Sequence, residues 1–148
     1  MIRVVAFGDL DARTAYDVWR LRQDVFVVEQ ASTFPDLDGR DLDPTTRHLL
    51  LTEDGELAGY LRLLDDGECA RIGRVVVARA FRGRGLADRL MQVALAETGS
   101  RAVRLDAQTG LLEWYASYGF TVAGPAFDDE GVLHLPMLRP TGQPGPRR

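Results

Sequence analysis

Cysteine is almost absent from this chain. Cys69 is the single one in 148 residues, so no intramolecular disulfide can staple the fold, and a reducing compartment is expected. With no second cysteine and no histidine beside it in sequence, Cys69 reads as a small packing residue at a strand entrance rather than as a nucleophile or metal ligand. Long apolar runs are missing as well. No stretch approaches the roughly 20 residues that span a bilayer, and the opening Met1-Ile2-Arg3-Val4-Val5 lacks a signal-peptide pattern. A cytoplasmic protein with no membrane partner is the expectation. Excess positive charge is also lacking: 18 basic and 22 acidic side chains leave a net charge of −4, which argues against a nucleic-acid surface.

What is present suits one domain. Hydrophobic residues make up 45% of the chain, and chains of this size bury roughly 70% of their unfolded surface. Residues 1–138 are expected to form that domain. The segment 139–148, with three prolines and two glycines, is expected to be a disordered tail. Arg3 to Phe7 reads as a strand and Asp11 to about Val28 as a helix, with Thr14-Ala15-Tyr16-Asp17 resembling a capping box. Arg47 to Thr52 and Leu57 to Leu64 read as strands joined at Asp54-Gly55, a strong hairpin signal. A second turn, Asp65-Asp66-Gly67-Glu68, leads into a strand ending at Val75-Val76-Val77. Beyond the helix that follows, a strand is expected over 102–107, a short helix over Leu111 to Tyr118, and a closing hairpin of Thr121 to Phe127 and Val132 to Leu138 around Asp128-Asp129-Glu130-Gly131.

The chain is organised around the segment from Ile72 to Ala96. A β-branched strand delivers it to Arg82-Gly83-Arg84-Gly85, and Leu86, Leu90, Met91, Ala94 and Leu95 then recur with a helical period. Glycines that bare the backbone, followed by a helix whose first N–H groups are unpaired, make an anion seat. The dinucleotide fingerprint needs a third spaced glycine, and the nucleoside-triphosphate loop needs Gly-Lys-Ser/Thr, where this chain has Gly85-Leu86-Ala87. Neither rival fits. The acidic segment Asp36-x-Asp38-x-x-Asp41 suggests a calcium loop, but Arg47 stands where the twelfth-position Glu is required, so no metal site is assigned.

The loop resembles the acyl-CoA loop of the GNAT N-acetyltransferases, in which Arg or Gln, two residues, Gly, one residue, and Gly or Ala follow a valine-rich strand. Arg82, Gly85 and Ala87 occupy those places. Leu112-Glu113-Trp114-Tyr115-Ala116-Ser117-Tyr118-Gly119-Phe120 is similar to a second segment of that family. Val25-Phe26-Val27-Val28-Glu29-Gln30, Asp38-Gly39-x-Asp41, Arg47-His48 and Ala107-Gln108 extend the likeness to its ElaA-type branch. The resemblance implies an α/β (α+β) fold, with a central mixed, mostly antiparallel sheet flanked by helices. It implies acetyl-CoA as the acyl donor, held by Val75 and Val77 at the pantetheine, by Gly83, Arg84, Gly85, Ala87 and Asp88 with Arg82 at the pyrophosphate, and by Gln108 where many members have Asn.

The implied activity is acetyl transfer to a primary amine of a small molecule by direct attack. A protein amine and a homodimer are compatible with it, and a non-catalytic acyl-CoA sensor is the alternative. Tyr115 takes the family's general-acid role, with Tyr118 as the other phenol and a packed aromatic as the bland alternative. The family's base is often a carboxylate on the central strand, where this chain has Arg71 and Arg74. Glu29, His48 and Asp38 or Asp41 are candidates, each equally readable as a surface charge or a hydrogen-bonded strand residue. The acidic loop suggests a cationic acceptor.

Overall fold

The computed structural model describes residues 1–32, 34–129 and 131–142. Eight strands form one mixed sheet: β1 (Ile2–Val5), β2 (Arg47–Glu53), β3 (Glu56–Asp65), β4 (Ala70–Val77), β5 (Val103–Gln108), β6 (Thr121–Val122), β7 (Phe127–Asp129) and β8 (Val132–Arg139). Their order is β1-β2-β3-β4-β5-β8-β6, with β7 also on β8, and β4–β5 is the parallel pair. The helices are α1 (Ala12–Arg22), α2 (Leu86–Thr98) and α3 (Leu112–Ala116).

The period of two in the strands sorts the core into two layers. Leu49, Leu51, Leu61 and Leu63 pack with Leu90, Met91 and Leu95 of α2, whereas Leu50, Tyr60 and Val76 pack with Val18 and Leu21 of α1. Leu50, Tyr60 and Val76 stand opposite one another across three strands. On the other face, a β-carbon at Gly59 would lie 3.1 Å from Leu90 Cδ1 and 3.4 Å from the Val76 carbonyl. Glycine there lets α2 sit close to the sheet.

The β2–β3 hairpin turns at Asp54 and Gly55, which have φ of 52° and 78°, the twist that suits a two-residue turn. The first helix differs from expectation in two ways. Its cap is Asp11, which accepts the Thr14 N–H at 2.7 Å, not Thr14. After α1 the winding opens into a π-helix over Gln23–Glu29, in which the Gln30 N–H reaches back five residues to the Val25 carbonyl. Strict α winding would carry the buried row of Val18, Leu21 and Val25 on to Val28; the wider turn instead leaves Val28 exposed.

The expected strand Thr121 to Phe127 is broken into β6 and β7 around Gly124-Pro125, because proline has no N–H for a ladder. The strand β8 runs through Arg139, which is buried, and the Gly142 N–H donates to the Ser100 carbonyl at 2.8 Å. Residues 143–148 of the expected tail, and Glu130 of the expected turn, lie outside the described residues. Among the described residues, no helix is long and apolar enough to cross a membrane.

Candidate active site

The site begins where two strands part. β4 and β5 pair only at Ala70–Val103 and Arg71–Arg104; beyond that β4 follows β3 and β5 follows β8. A bulge in β4 between Gly73 and Val76 takes Arg74 and Val75 out of the β3 ladder, with Arg74 at a φ of 54°. Non-glycine residues adopt that region at a cost and often at functional sites. The gap is a cavity of about 400 Å³ whose walls include Phe26, Val75, Gln108, Tyr115 and His134.

A second cleft of about 280 Å³ lies over the start of α2, lined by Val77, Arg82, Gly83, Gly85, Ala87, Asp88 and Trp114. Gly83 and Gly85 have φ of 81° and 72°. Nothing lies within 4 Å of where their β-carbons would be, so it is backbone conformation rather than crowding that calls for glycine. No side chain caps α2, which leaves its first N–H groups facing this cleft. Val75 in the cavity and Val77 in the cleft are two residues apart on one strand, so a ligand can run along β4 from one to the other.

The other expected loop residues have defined places. Arg82 donates from Nη1 and Nη2 to both Glu29 oxygens, at 2.7 and 2.9 Å, and from Nε to the Val77 carbonyl at 3.1 Å. This pair joins the π-helix to the loop, and hydrogen bonding from Arg82 lowers the Glu29 pKa. Arg84 lies over the Phe81 ring at 5.1 Å and does not line the cleft. Asp88 accepts a hydrogen bond from the Tyr118 hydroxyl and another from Gln92 at 2.9 Å.

The two phenols differ. Tyr115 lines the cavity, is 7% exposed, and packs edge-on to Trp114 and Phe120; burial pushes its pKa up to about 12. Tyr118 is held by Asp88, and burial followed by that carboxylate raises its pKa. Only Tyr115 of the two is in the cavity wall.

The candidate bases are not in the cavity wall. His48 is fully buried, with Nε2 3.1 Å from the Asp41 carbonyl and Nδ1 against the Tyr60 hydroxyl. A carbonyl can only accept, so Nε2 carries the proton and Nδ1 accepts from Tyr60. Neither nitrogen is left to take a proton from a substrate, and burial lowers the pKa of the ring. Glu29 is tied to Arg82, as described.

The acidic loop is likewise engaged. Arg22 reaches Asp41 at 2.7 Å and Asp36 at 2.8 Å, Arg62 pairs with Asp38 and with Asp41 at 3.2 Å, and Arg74 pairs with Asp36 at 3.0 Å. The Arg62 hydrogen bond holds the Asp38 carboxyl well below the usual range. Three arginines therefore neutralise three aspartates, and the loop is a fastened wall rather than a collector of cations. The expectation that this loop selects a cationic acceptor loses its basis, for these side chains are drawn together from 14 to 38 residues apart in sequence.

The acetyltransferase (GNAT) domain model matches residues 17–139. The chain belongs to the GNAT acetyltransferase family. A UPF0039 protein of Mycobacterium tuberculosis is 49% identical over 144 residues, covering 94% of this chain and 92% of the relative. The crystal structure of an acyl-CoA N-acyltransferase from Pseudomonas aeruginosa superposes with a TM-score of 0.90 at 36% identity, covering 94% of this chain and 98% of that one. Escherichia coli ElaA superposes with a TM-score of 0.87 at 34% identity, with the same coverage. The GNAT fold and these acyltransferase neighbours imply acyl-CoA binding, and the uncapped α2 beside the glycine loop is chemically suited to its phosphates. In this GNAT domain the sequence reading missed the Arg22–Arg62–Arg74 network and the cavity residues Asp106 and His134. His134 stands opposite Gln108 in the β5–β8 register, a long-range pairing that no run of adjacent residues specifies.

Proposed function

We propose that the protein transfers an acetyl group from acetyl-CoA to the primary amine of a small molecule, by direct attack of the amine on the thioester, in the cytoplasm. The observation that carries this is the grouping of Tyr115, Gln108 and bulged β4 around one cavity, with the glycine-loop cleft two residues further along the same strand at Val77. The amides of α2 and its loop would hold the pyrophosphate, Val75 and Val77 the pantetheine, and a main-chain amide freed by the bulge the thioester oxygen.

Tyr115 gives its proton to the sulfur as the C–S bond breaks. With a phenol near 12 and a free thiol near 8.5, that transfer is uphill by about 5 kcal/mol. The thiolate forms in the same buried surroundings, which raise its own pKa and narrow the gap. Full protonation of Tyr115 at neutral pH is what a general acid needs.

The test is release of thiol from acetyl-CoA with a panel of primary amines. Tyr115→Phe is expected to slow turnover about 10²-fold or more while leaving the acetyl-CoA dissociation constant within about threefold. Acetyl-CoA binding by the wild type without thiol release on any amine would instead identify a sensor module.

A further inference from the structure

The cavity holds a histidine whose chemistry the family resemblance did not assign. His134 on β8 lines it and is half-buried. Its Nδ1 lies 2.9 Å from the Val132 carbonyl. That oxygen can only accept, so in the neutral ring Nδ1 carries the proton and Nε2 presents its lone pair. The ring stacks on Phe127 with centroids 5.9 Å apart and planes 23° apart, which fixes its orientation from the far strand. This is the reverse of His48, whose two nitrogens are both engaged inside the core. Among the described residues, no hydrogen-bond partner is seen for His134 Nε2.

The charged groups around His134 balance. Asp106 on β5, Asp129 on β7 and Asp36 line the same cavity as Arg62 on β3 and Arg71 and Arg74 on β4, and Tyr115 supplies the phenol. Arg71 is partnered by Asp66 at 2.9 Å and by Asp106 at 3.6 Å, Arg74 by Asp36 at 3.0 Å, and Arg62 by Asp38 and Asp41, so none of these three arginines stands as a bare cation against an arriving ammonium.

We infer that His134 is the general base that takes the proton from the acceptor ammonium, with Val132 and Phe127 holding it in the required tautomer and plane. The inference rests on the acyltransferase reading above. Nε2 removes one proton from the ammonium and passes it to water. The freed nitrogen pair forms the C–N bond while the carbonyl pair moves onto oxygen. Collapse restores the C=O bond and breaks the C–S bond; the sulfur keeps the electron pair and takes the Tyr115 proton. The second proton leaving nitrogen restores the phenol. One amide, one thiol and one released proton result, and the balance is complete.

A base matters only for an acceptor that arrives charged. An alkylamine of pKa near 10 is almost wholly protonated at pH 7, whereas hydrazides and arylamines are already neutral there. The experiment compares wild type, His134→Gln and His134→Asn with phenethylamine and other alkylamines and with benzoic hydrazide as acceptors, following thiol release from acetyl-CoA. The Asn variant can still donate to Val132, which separates loss of the base from loss of the turn.

Both variants are expected to lose at least about 10²-fold in kcat/KM with alkylamines, less than about fivefold with the hydrazide, and nothing in the KM for acetyl-CoA. The alkylamine loss is expected to shrink as pH rises and the free amine accumulates. Equal losses with both acceptor types, or wild-type rates in both variants, overturn the assignment of His134 and leave the acyltransferase reading intact. Absence of turnover by the wild type with every amine overturns that reading and the base with it.

Discussion

His48 and Tyr115 are both buried titratable groups, and their shifts run in opposite directions with opposite consequences for stability. Burial lowers the His48 pKa, so the unfolded chain binds a proton that the folded one resists. The contribution of neutral His48 is present above its ordinary value near 6.5 and is lost as pH falls below it. Urea midpoints should therefore drop between about pH 7.5 and pH 5, and His48→Gln should flatten that slope while lowering the midpoint throughout. Burial raises the Tyr115 pKa to about 12, so its contribution is present below the ordinary phenol value near 10 and is lost as pH rises toward 12. Tyr115→Phe should remove part of the alkaline loss of stability, a measurement independent of its catalytic test.

Elements show what adjacent residues can specify and what they cannot. The β2–β3 hairpin is legible because Asp54 and Gly55 adopt the turn by themselves, and α2 because its apolar period and glycine loop are local. The π-winding after Arg22 is not, since it depends on which side chains the sheet accepts from that helix. The Arg–Asp network is illegible for a different reason: its partners come from α1, the 36–43 segment, β3 and β4, and only the fold gathers them. Asp41 is 4% exposed and accepts from both Arg22 and Arg62. Asp41→Asn should cost about 3–5 kcal/mol in denaturant unfolding, because it leaves buried guanidinium charge without its counter-ion. Gly59→Ala should cost about 1–3 kcal/mol through crowding of α2 against the sheet, since Leu90 is fully buried and has little room to yield.

At the scale of the whole molecule, two antiparallel sections meet at a parallel pair that parts after two residues, and everything assigned a chemical role stands along that opening. The glycine loop and the start of α2 were legible because glycine conformation and a helix start are written in a few adjacent residues. The cavity was not, because its wall is assembled from β4, β5, β8 and the arginine-fastened loop. The decisive question for the proposed function is whether the α2 terminus holds the phosphates of CoA, and Gly85→Val tests it. A β-branched residue at a φ of 72° is disfavoured by about 1–3 kcal/mol, so the loop must change its path and the first α2 amides their aim. The open space around Gly85 confines the damage to backbone conformation, and the variant should stay folded with a modestly lower Tm. Its affinity for CoA by calorimetry should fall at least about tenfold, and the stabilisation of Tm by saturating CoA should shrink accordingly. Unchanged CoA affinity would move the phosphate site away from this loop, whereas a matched fall in CoA affinity and in kcat/KM, with the amine KM unaltered, is the result expected if the loop serves the donor alone.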